Sequence, residues 1–338
     1  MGAQVDGLAS TSSDAAPAGG GGGGNNNDDD MLQAATRLAA VAGTSTCHLA
    51  LSPSPAEPIF VPGVWGPYRD VVVPGYWMAE GGQSATGELL RHVVATHPAY
   101  DEARRAAGGT DVGIGAVYDH LNERLARMAA AAKAPGGSVG HLARHLFFYG
   151  DLWGNRSPVA DSRMRGAVVG LDSDVGPDGL ALLYYAALEG IALQTRQIVE
   201  AMNAQGHVLR SIFVSGSQGR NPVLVQLLAN ACRMPVVTPR YVGAAVVHGA
   251  AMLAVKAASE AEARSGPVGE PGDMGRQELG ESLWSIMKRM TKPGRVVQPV
   301  QDGWETKLLD AKYRVFLELC RTQREYRDSV DDAIKGWE

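Results

Sequence analysis

Cysteine is scarce in these 338 residues: Cys47, Cys232 and Cys320 stand far apart and form no CxxC pair. That gives no support to a disulfide-stapled secreted scaffold, and it suits buried thiols in a reducing compartment. A large charge of one sign is lacking too. A formal net charge of −5 leaves no electrostatic footprint for nucleic acid or an anionic membrane. No run approaches the roughly 20 apolar residues that span a bilayer. The N-terminus has no basic region followed by an apolar stretch, so no signal peptide is expected. Asp6 stands where a myristoylation motif wants Ser or Thr. A cytoplasmic protein without nucleic-acid or membrane partners is the expectation.

The familiar catalytic signatures are absent as well. There is no G-x-G-x-x-G, no Walker lysine and no G-x-S-x-G elbow, so neither dinucleotide binding, P-loop chemistry nor Ser/His/Asp catalysis is supported. His141 and His145 are spaced i, i+4, but no carboxylate or cysteine accompanies them, and no metal site is expected there. The run Asp28-Asp29-Asp30 lies in a low-complexity tract, residues 9–30, of small residues, glycines and asparagines. Such a tract cannot offset its ordering entropy, so residues 1–30 are read as a disordered, solvated segment.

What remains is ordinary for a globular protein, with 45% hydrophobic and 20% charged residues. Ordered structure is expected from about Met31. "RLAAVAGTSTCHLALS" reads as a hairpin, and "DVVVPGYWMA" as a third strand bent at Pro74 and Gly75. A helix follows, with Ser84 as its N-cap. Residues 99–138 read as an alanine-rich helical insertion at the periphery. "GLALLYYAALEGIALQTRQIVEAMNAQG" is the cleanest helix, stopped at Gly206. Then "SIFVSGSQGRNPVLVQLLANACRMPVV" reads strand, turn, helix, strand. "VGAAVVHGAAMLAVKAA" is a small-residue helix suited to close packing against another backbone. Residues 31–258 thus form one α/β unit, and 259–338 a linker with a helical tail.

Three turns at strand ends could carry chemistry. Gly43-Thr44-Ser45-Thr46, at the hairpin tip, can aim backbone N–H groups and hydroxyls at one spot, which suits a phosphate; the alternative is a turn that caps itself. "VSGSQGRNP", around Gly216 to Pro222, ends a buried strand and opens a helix, where ligands of open α/β sheets collect. "GGQSATG", Gly81 to Gly87, is a third such turn. Each is weak alone; together they suggest a nucleotide gripped by several loops.

In order and spacing these segments resemble the second half of the FGGY family of carbohydrate kinases, closest to its eukaryotic, fungal-type D-ribulokinase branch. "AVAGTSTCHLAL", "GYWMAEGGQSATGELL", "YGDLWGNRSPVADSRMRGAVVGL" and "SIFVSGSQGRNPVLVQLLANACRMPVV" carry the resemblance, and it extends nearly to the end of the chain. It implies an actin-like (ribonuclease H-like) ATPase lobe, a mixed sheet with flanking helices. It also implies transfer of the ATP γ-phosphate, with Mg²⁺, to a pentulose, D-ribulose foremost. By resemblance, Gly43, Thr44, Ser45 and Thr46 face the ATP phosphates, and Gly87, Arg91, Gly216, Ser217, Gln218 and Asn221 touch the nucleotide. The family's glycine-rich adenosine loop is altered here, with Ser217 and Gln218 where two glycines are usual. Arg156, Asp161 and Arg165 resemble a shared loop read as structural ion pairing, the alternative being a role in lobe closure.

In the family, most sugar contacts and a general-base Asp lie ahead of the hairpin, in a first lobe. About 40 residues precede the hairpin here, so that lobe and its base are expected to be missing from this chain, which alone is expected to be inactive. The other reading is a non-catalytic nucleotide-binding remnant, or an interaction module acting through its helical tail.

Overall fold

The computed structural model describes residues 33–265, 280–301 and 303–336. The low-complexity tract of residues 9–30 and most of the linker expected after Ala258 lie outside the described residues.

Alternation builds the first strand: in β1 (Arg37–Ala42), Leu38, Ala40 and Ala42 are buried while their neighbours are not. It forms an antiparallel hairpin with β2 (Thr46–Leu51). The third strand departs from expectation. Pro74 and Gly75 lie in the turn between two strands, β3 (Trp65–Arg69) and β4 (Trp77–Gln83), and β3 had no alternating signal of its own. Short strands β5 (Phe147–Tyr149) and β6 (Ala167–Val169) make a separate ribbon. β7 (Ser211–Ser215) is apolar and buried nearly throughout, as befits a strand covered on both faces. It pairs in parallel with β1 and with β8 (Val236–Thr238), and β9 (Arg295–Val297) adds an antiparallel edge. The order is β3-β4-β2-β1-β7-β8-β9, a mixed sheet.

Among the described residues the longer helices are α1 (Gly87–Ala95), α2 (Tyr100–Ala106), α3 (Ile114–Ala131), α4 (Pro177–Ala204), α5 (Pro222–Cys232), α6 (Ala245–Ser265), α7 (Leu283–Met290) and α8 (Gly303–Ile334), with one further turn of helix at Val139–Leu142. Helix α4 is apolar around its circumference and is buried accordingly. One side meets the sheet, where Gln83 Nε2 donates to Ile191 O at 2.9 Å and His48 Nε2 lies 3.4 Å from Thr195 Oγ1. The other side meets α8, where Arg196 pairs with Asp310 at 2.9 Å and stacks over the Tyr313 ring. Between these layers Lys312 Nζ sits 2.5 Å from Glu189 Oε2 and donates to Ala143 O at 2.8 Å, both side chains being almost wholly enclosed.

Three further expectations change, and that of ion pairing in the loop with Arg156, Asp161 and Arg165 holds in part. Ser84 does not cap α1; its hydroxyl donates to Gly154 O at 2.7 Å, and Thr86 holds the cap position. Helix α3 is core rather than periphery, since Val117, Leu121 and Leu125 are fully buried. Asp161 pairs with Arg327 of α8 at 2.7 Å, whereas Arg156 lies over the Trp65 ring. Lastly, the helical stretch Val242–Ser265 is long and apolar enough to cross a membrane by length and composition, with only 6% of its apolar window buried. The small-residue helix meets the segment around α7 along one face, with His248 Nε2 3.0 Å from Met290 O, Lys256 Nζ donating to Glu281 O at 3.1 Å and Glu281 N donating to Ser259 Oγ at 2.6 Å, while most of its remaining circumference is exposed.

Two stability predictions follow from the buried charges. Replacing Lys312 with Met strands the Glu189 carboxylate, whose pKa burial already raises, with Lys312 opposing. The loss should be about 3–5 kcal/mol in urea melts at pH 8. It should shrink at pH 5, where Glu189 can take up a proton, and Lys312→Met/Glu189→Leu should recover much of it. His48 is fully buried, and burial pushes its imidazole down to about 4. The unfolded chain therefore takes up this proton first as pH falls below about 6.5. Stability should drop by up to about 1.4 kcal/mol per pH unit between pH 6.5 and 4. Melts of wild type minus His48→Leu across that range isolate the effect.

Candidate functional site

The β1–β2 tip closes on itself through Gly43 N, which donates to Ser45 O at 2.9 Å. Its carbonyls then serve the start of α1. Thr86 N and Glu88 N donate to Thr44 O at 2.9 and 3.2 Å, and Gly87 N donates to Gly43 O at 3.1 Å. The first amides of α1, which an exposed helix start would leave for an anion, are consumed by the hairpin.

The loop after β7 reaches the same carbonyl. Gln218, buried in the turn at residues 217–220, donates through Nε2 to Gly43 O at 2.5 Å and to Thr86 Oγ1 at 2.6 Å. Thr86 Oγ1 in turn lies 2.8 Å from Thr46 Oγ1. Hairpin, helix and loop are thereby joined through Gln218. Close packing at the join requires glycine twice. A Cβ on Gly87 would stand 2.5 Å from Gly43 O, and one on Gly216, whose φ is +92°, would stand 2.3 Å from Ala42 O.

Around this join lies a cavity of about 380 Å³. Gly43, Thr44, Gly87, Arg91, Ser217, Gln218 and Asn221 line it, so the three turns singled out by sequence do converge. Ser45, Thr46 and Gly216 do not line it. The Thr46 hydroxyl is turned inward to Thr86, Ser45 lends its carbonyl to the turn, and Gly216 supplies backbone geometry, its N–H donating to Val242 O at 3.1 Å. Thr44 and Ser217 are exposed, and neither hydroxyl makes a hydrogen bond among the described residues.

Asn221 is heavily used by its own helix: Oδ1 accepts from Val223 N at 3.1 Å and Leu224 N at 3.4 Å, capping α5. Its amide also accepts from Asn122 and donates to the Tyr184 hydroxyl at 2.6 Å. Arg91 is paired within its own turn, with Nε 2.7 Å from Glu88 Oε2 and Nη2 2.5 Å from Oε1. The Arg91 hydrogen bonds hold the Glu88 carboxyl below its ordinary range. These two are the charged residues of the lining, and they neutralise each other.

Sequence reading missed the remaining wall: Glu88 and Leu90 from α1, and Ile114, Gly115 and Tyr118 from the start of α3. Tyr118 stacks on Tyr184 with centroids 5.3 Å apart and an interplanar angle of 15°. Burial pushes its phenol well up, and its hydroxyl has no partner among the described residues. The signal was available, since Tyr118 adjoins the buried stripe Val117, Leu121, Leu125 and so sits at the edge of an amphipathic face.

Comparisons with known proteins bear on the family and the fold. A family model described as the C-terminal domain of the FGGY family of carbohydrate kinases matches residues 38–258. The chain is 38% identical to a D-ribulokinase of Saccharomyces cerevisiae, over 87% of this chain and 52% of that protein. It spans about half the length of the curated relatives it matches. Two solved structures share the fold. The xylulose kinase of Rhodospirillum rubrum has a TM-score of 0.58 at 21% identity, over 89% of this chain and 50% of that one. The glycerol kinase of Plasmodium falciparum, solved with ADP, has a TM-score of 0.55 at 15% identity, over 86% and 49%.

The join makes its own prediction. Gly87→Ala should force the hairpin tip away from α1, costing about 1–3 kcal/mol and speeding amide exchange at Gly43 to Ser45. Gly115→Ala, where nothing lies within 4 Å of the new Cβ, should be neutral or slightly stabilising. Equal effects at both positions would refute the close-packing account.

Proposed function

The chain belongs to the FGGY family of carbohydrate kinases, and on that premise we propose that it is the nucleotide-binding half of an enzyme that phosphorylates a pentulose, D-ribulose foremost. The observation that carries the reading is the convergence of three chain-distant turns on one cavity with free hydroxyls and an aromatic wall. Thr44 and Ser217 are positioned to donate to phosphate oxygens, while the α3 residues offer an apolar face to a base. Phosphoryl transfer asks mainly for positioning and charge stabilisation. With Glu88 and Arg91 cancelling, this cavity adds little net positive charge of its own.

Mg²⁺ fits such a site as a companion of the nucleotide. Among the described residues no group of three or more metal-ligating side chains comes together. Mg²⁺ commonly keeps several waters and binds through substrate phosphates, so a dedicated cage is not required. When bound, it would neutralise charge building on the transferred group.

The sugar contacts and the base that takes the hydroxyl proton belong, in this reading, to the half of the relatives that this chain does not match. Helix α6 supports a docked second half. It is exposed along its apolar face, and it begins at the nucleotide loop, where Gly216 N donates to Val242 O. The same exposed face is what favours the second reading, an interaction module without turnover.

Calorimetric titration with Mg·ADP should show binding by this chain. Tyr118→Ala should weaken it about tenfold, in line with loss of a base–aromatic stack, while Tyr118→Phe should leave it unchanged. ADP release dependent on D-ribulose should appear only when the first half of a relative is added as a separate chain. Nucleotide binding without any such rescue would leave the interaction-module reading in place. Turnover by this chain unaided would overturn the division of labour.

A further inference from the structure

Consecutive residues in the first turn of α5 divide between two cavities. Asn221 lines the nucleotide cavity, whereas Pro222 and Val223 line a second one of about 350 Å³. Four segments line this second cavity: the turn at residues 136–139, helix α4 through Tyr185, helix α5, and the tail, through Val300 and Glu305. The tail residues lie beyond the family match, which ends at residue 258. The cavity therefore exists because the tail folds back, with Val300 N donating to Asn230 Oδ1 at 3.0 Å.

Its walls are mostly apolar, from Val139, Val223, Leu227 and Val300, with the buried Tyr185 ring. Into this lining projects one carboxylate. Glu305 accepts from the Ser138 hydroxyl at 2.7 Å and from Asn230 Nδ2 at 3.4 Å, both neutral donors. No Lys, Arg or His among the described residues pairs with it, and it is only half-exposed. The charge of Glu305 acts with Glu189, after burial itself, in pushing the Tyr185 phenol up. A partly buried carboxylate held by neutral donors, beside an apolar wall, is complementary to a cation carried on an apolar body.

We propose that this tail-closed cavity is an effector site for a small molecule with an apolar ring or chain and a protonated amine, the amine pairing with Glu305. Occupancy would be felt at the nucleotide cavity through the first turn of α5. Asn221 Oδ1 holds Val223 N and Leu224 N, so a ligand that shifts Val223 shifts Asn221 with it. By linkage the effect is reciprocal: nucleotide must change amine affinity by the factor that amine changes nucleotide affinity.

The test is a titration of the full chain, followed by NMR or calorimetry, with tryptamine, phenethylamine and cyclohexylmethylamine, and with phenethyl alcohol as the uncharged counterpart. At least one amine should saturate the site, about tenfold or more tighter than the alcohol. Glu305→Gln, which keeps an acceptor for Ser138, should lose that tenfold, and Val223→Phe, which fills the cavity, should abolish binding. Saturating ADP should shift the amine's Kd by more than about threefold. No saturable amine binding up to about 10 mM, or full binding by Glu305→Gln, overturns the site. An amine Kd indifferent to bound ADP overturns the coupling. Should ADP itself fail to bind, the nucleotide reading falls, while the amine titration still judges this cavity.

Discussion

Helix α4 has almost no side left for water, and that constraint organises the molecule. A helix apolar around its whole circumference must be enclosed, here by the sheet on one side and α8 on the other. Enclosure carries polar groups inward with it. Glu189, Gln194 and Thr195 are buried on α4, and each has found a partner: Lys312, Asp151 and the Ile191 carbonyl. The Glu189–Lys312 pair is weak evidence for stability in itself, since hydrophobic side chains could fill the same space. What it does fix is register. Lys312 finds its three partners, Glu189, Ala143 O and the Phe147 ring, only if α8 lies at one height along α4.

Where α4 sets the scaffold, the Gly43 carbonyl sets the site. It receives Gly87 N and Gln218 Nε2, so one oxygen ties together segments some 175 residues apart in sequence. A side chain at position 218 is informative here. A bare glycine loop approaches a ligand by its backbone, whereas Gln218 spends its amide on the hairpin and Thr86. The loop is thereby held by a side chain instead of by backbone fit alone. Its Oε1 stays buried without a partner among the described residues, which marks the join as incompletely satisfied in this state.

Much of this was legible in the residues. The hairpin, the long helix ending at Gly206, and the strand–turn–helix capped at Asn221 all follow from periodicity and punctuation. Glycine positions located the convergence of three turns, because Gly87 and Gly216 are glycine for steric reasons that act across the chain. What a linear reading could not assign was the division of labour among hydroxyls. Thr44 and Thr46 look alike in sequence, yet one is exposed and the other bonds inward to Thr86, because Thr44 lies in the hairpin turn and Thr46 is already in β2. The role of α3 was hidden for a related reason: alanine-rich texture suggests a surface helix, but Val117, Leu121 and Leu125 form a narrow stripe that is wholly core.

Helix α6 poses the remaining physical question, because Val246, Val247 and Leu253 are 79%, 73% and 58% exposed. Scattered apolar residues need no explanation, but a contiguous apolar helix face does. A bilayer is one candidate cover, and helix chemistry argues against it. Lys256, Glu260, Glu262 and Arg264 occupy the C-terminal part, where Lys256 pairs with Glu260 at 3.3 Å. Although Val242–Ser265 is long enough overall, its uncharged stretch from Val242 to Val255 is about 14 residues, or roughly 21 Å of helix, so a crossing would draw Lys256 and Glu260 into the ~30 Å hydrocarbon core. Small residues such as Gly249, Ala250 and Ala254 instead permit another backbone to approach closely. A protein surface is the cover that matches this length and side-chain size. Because Val242 O accepts the Gly216 amide, whatever packs on α6 also bears on the loop that Gln218 anchors.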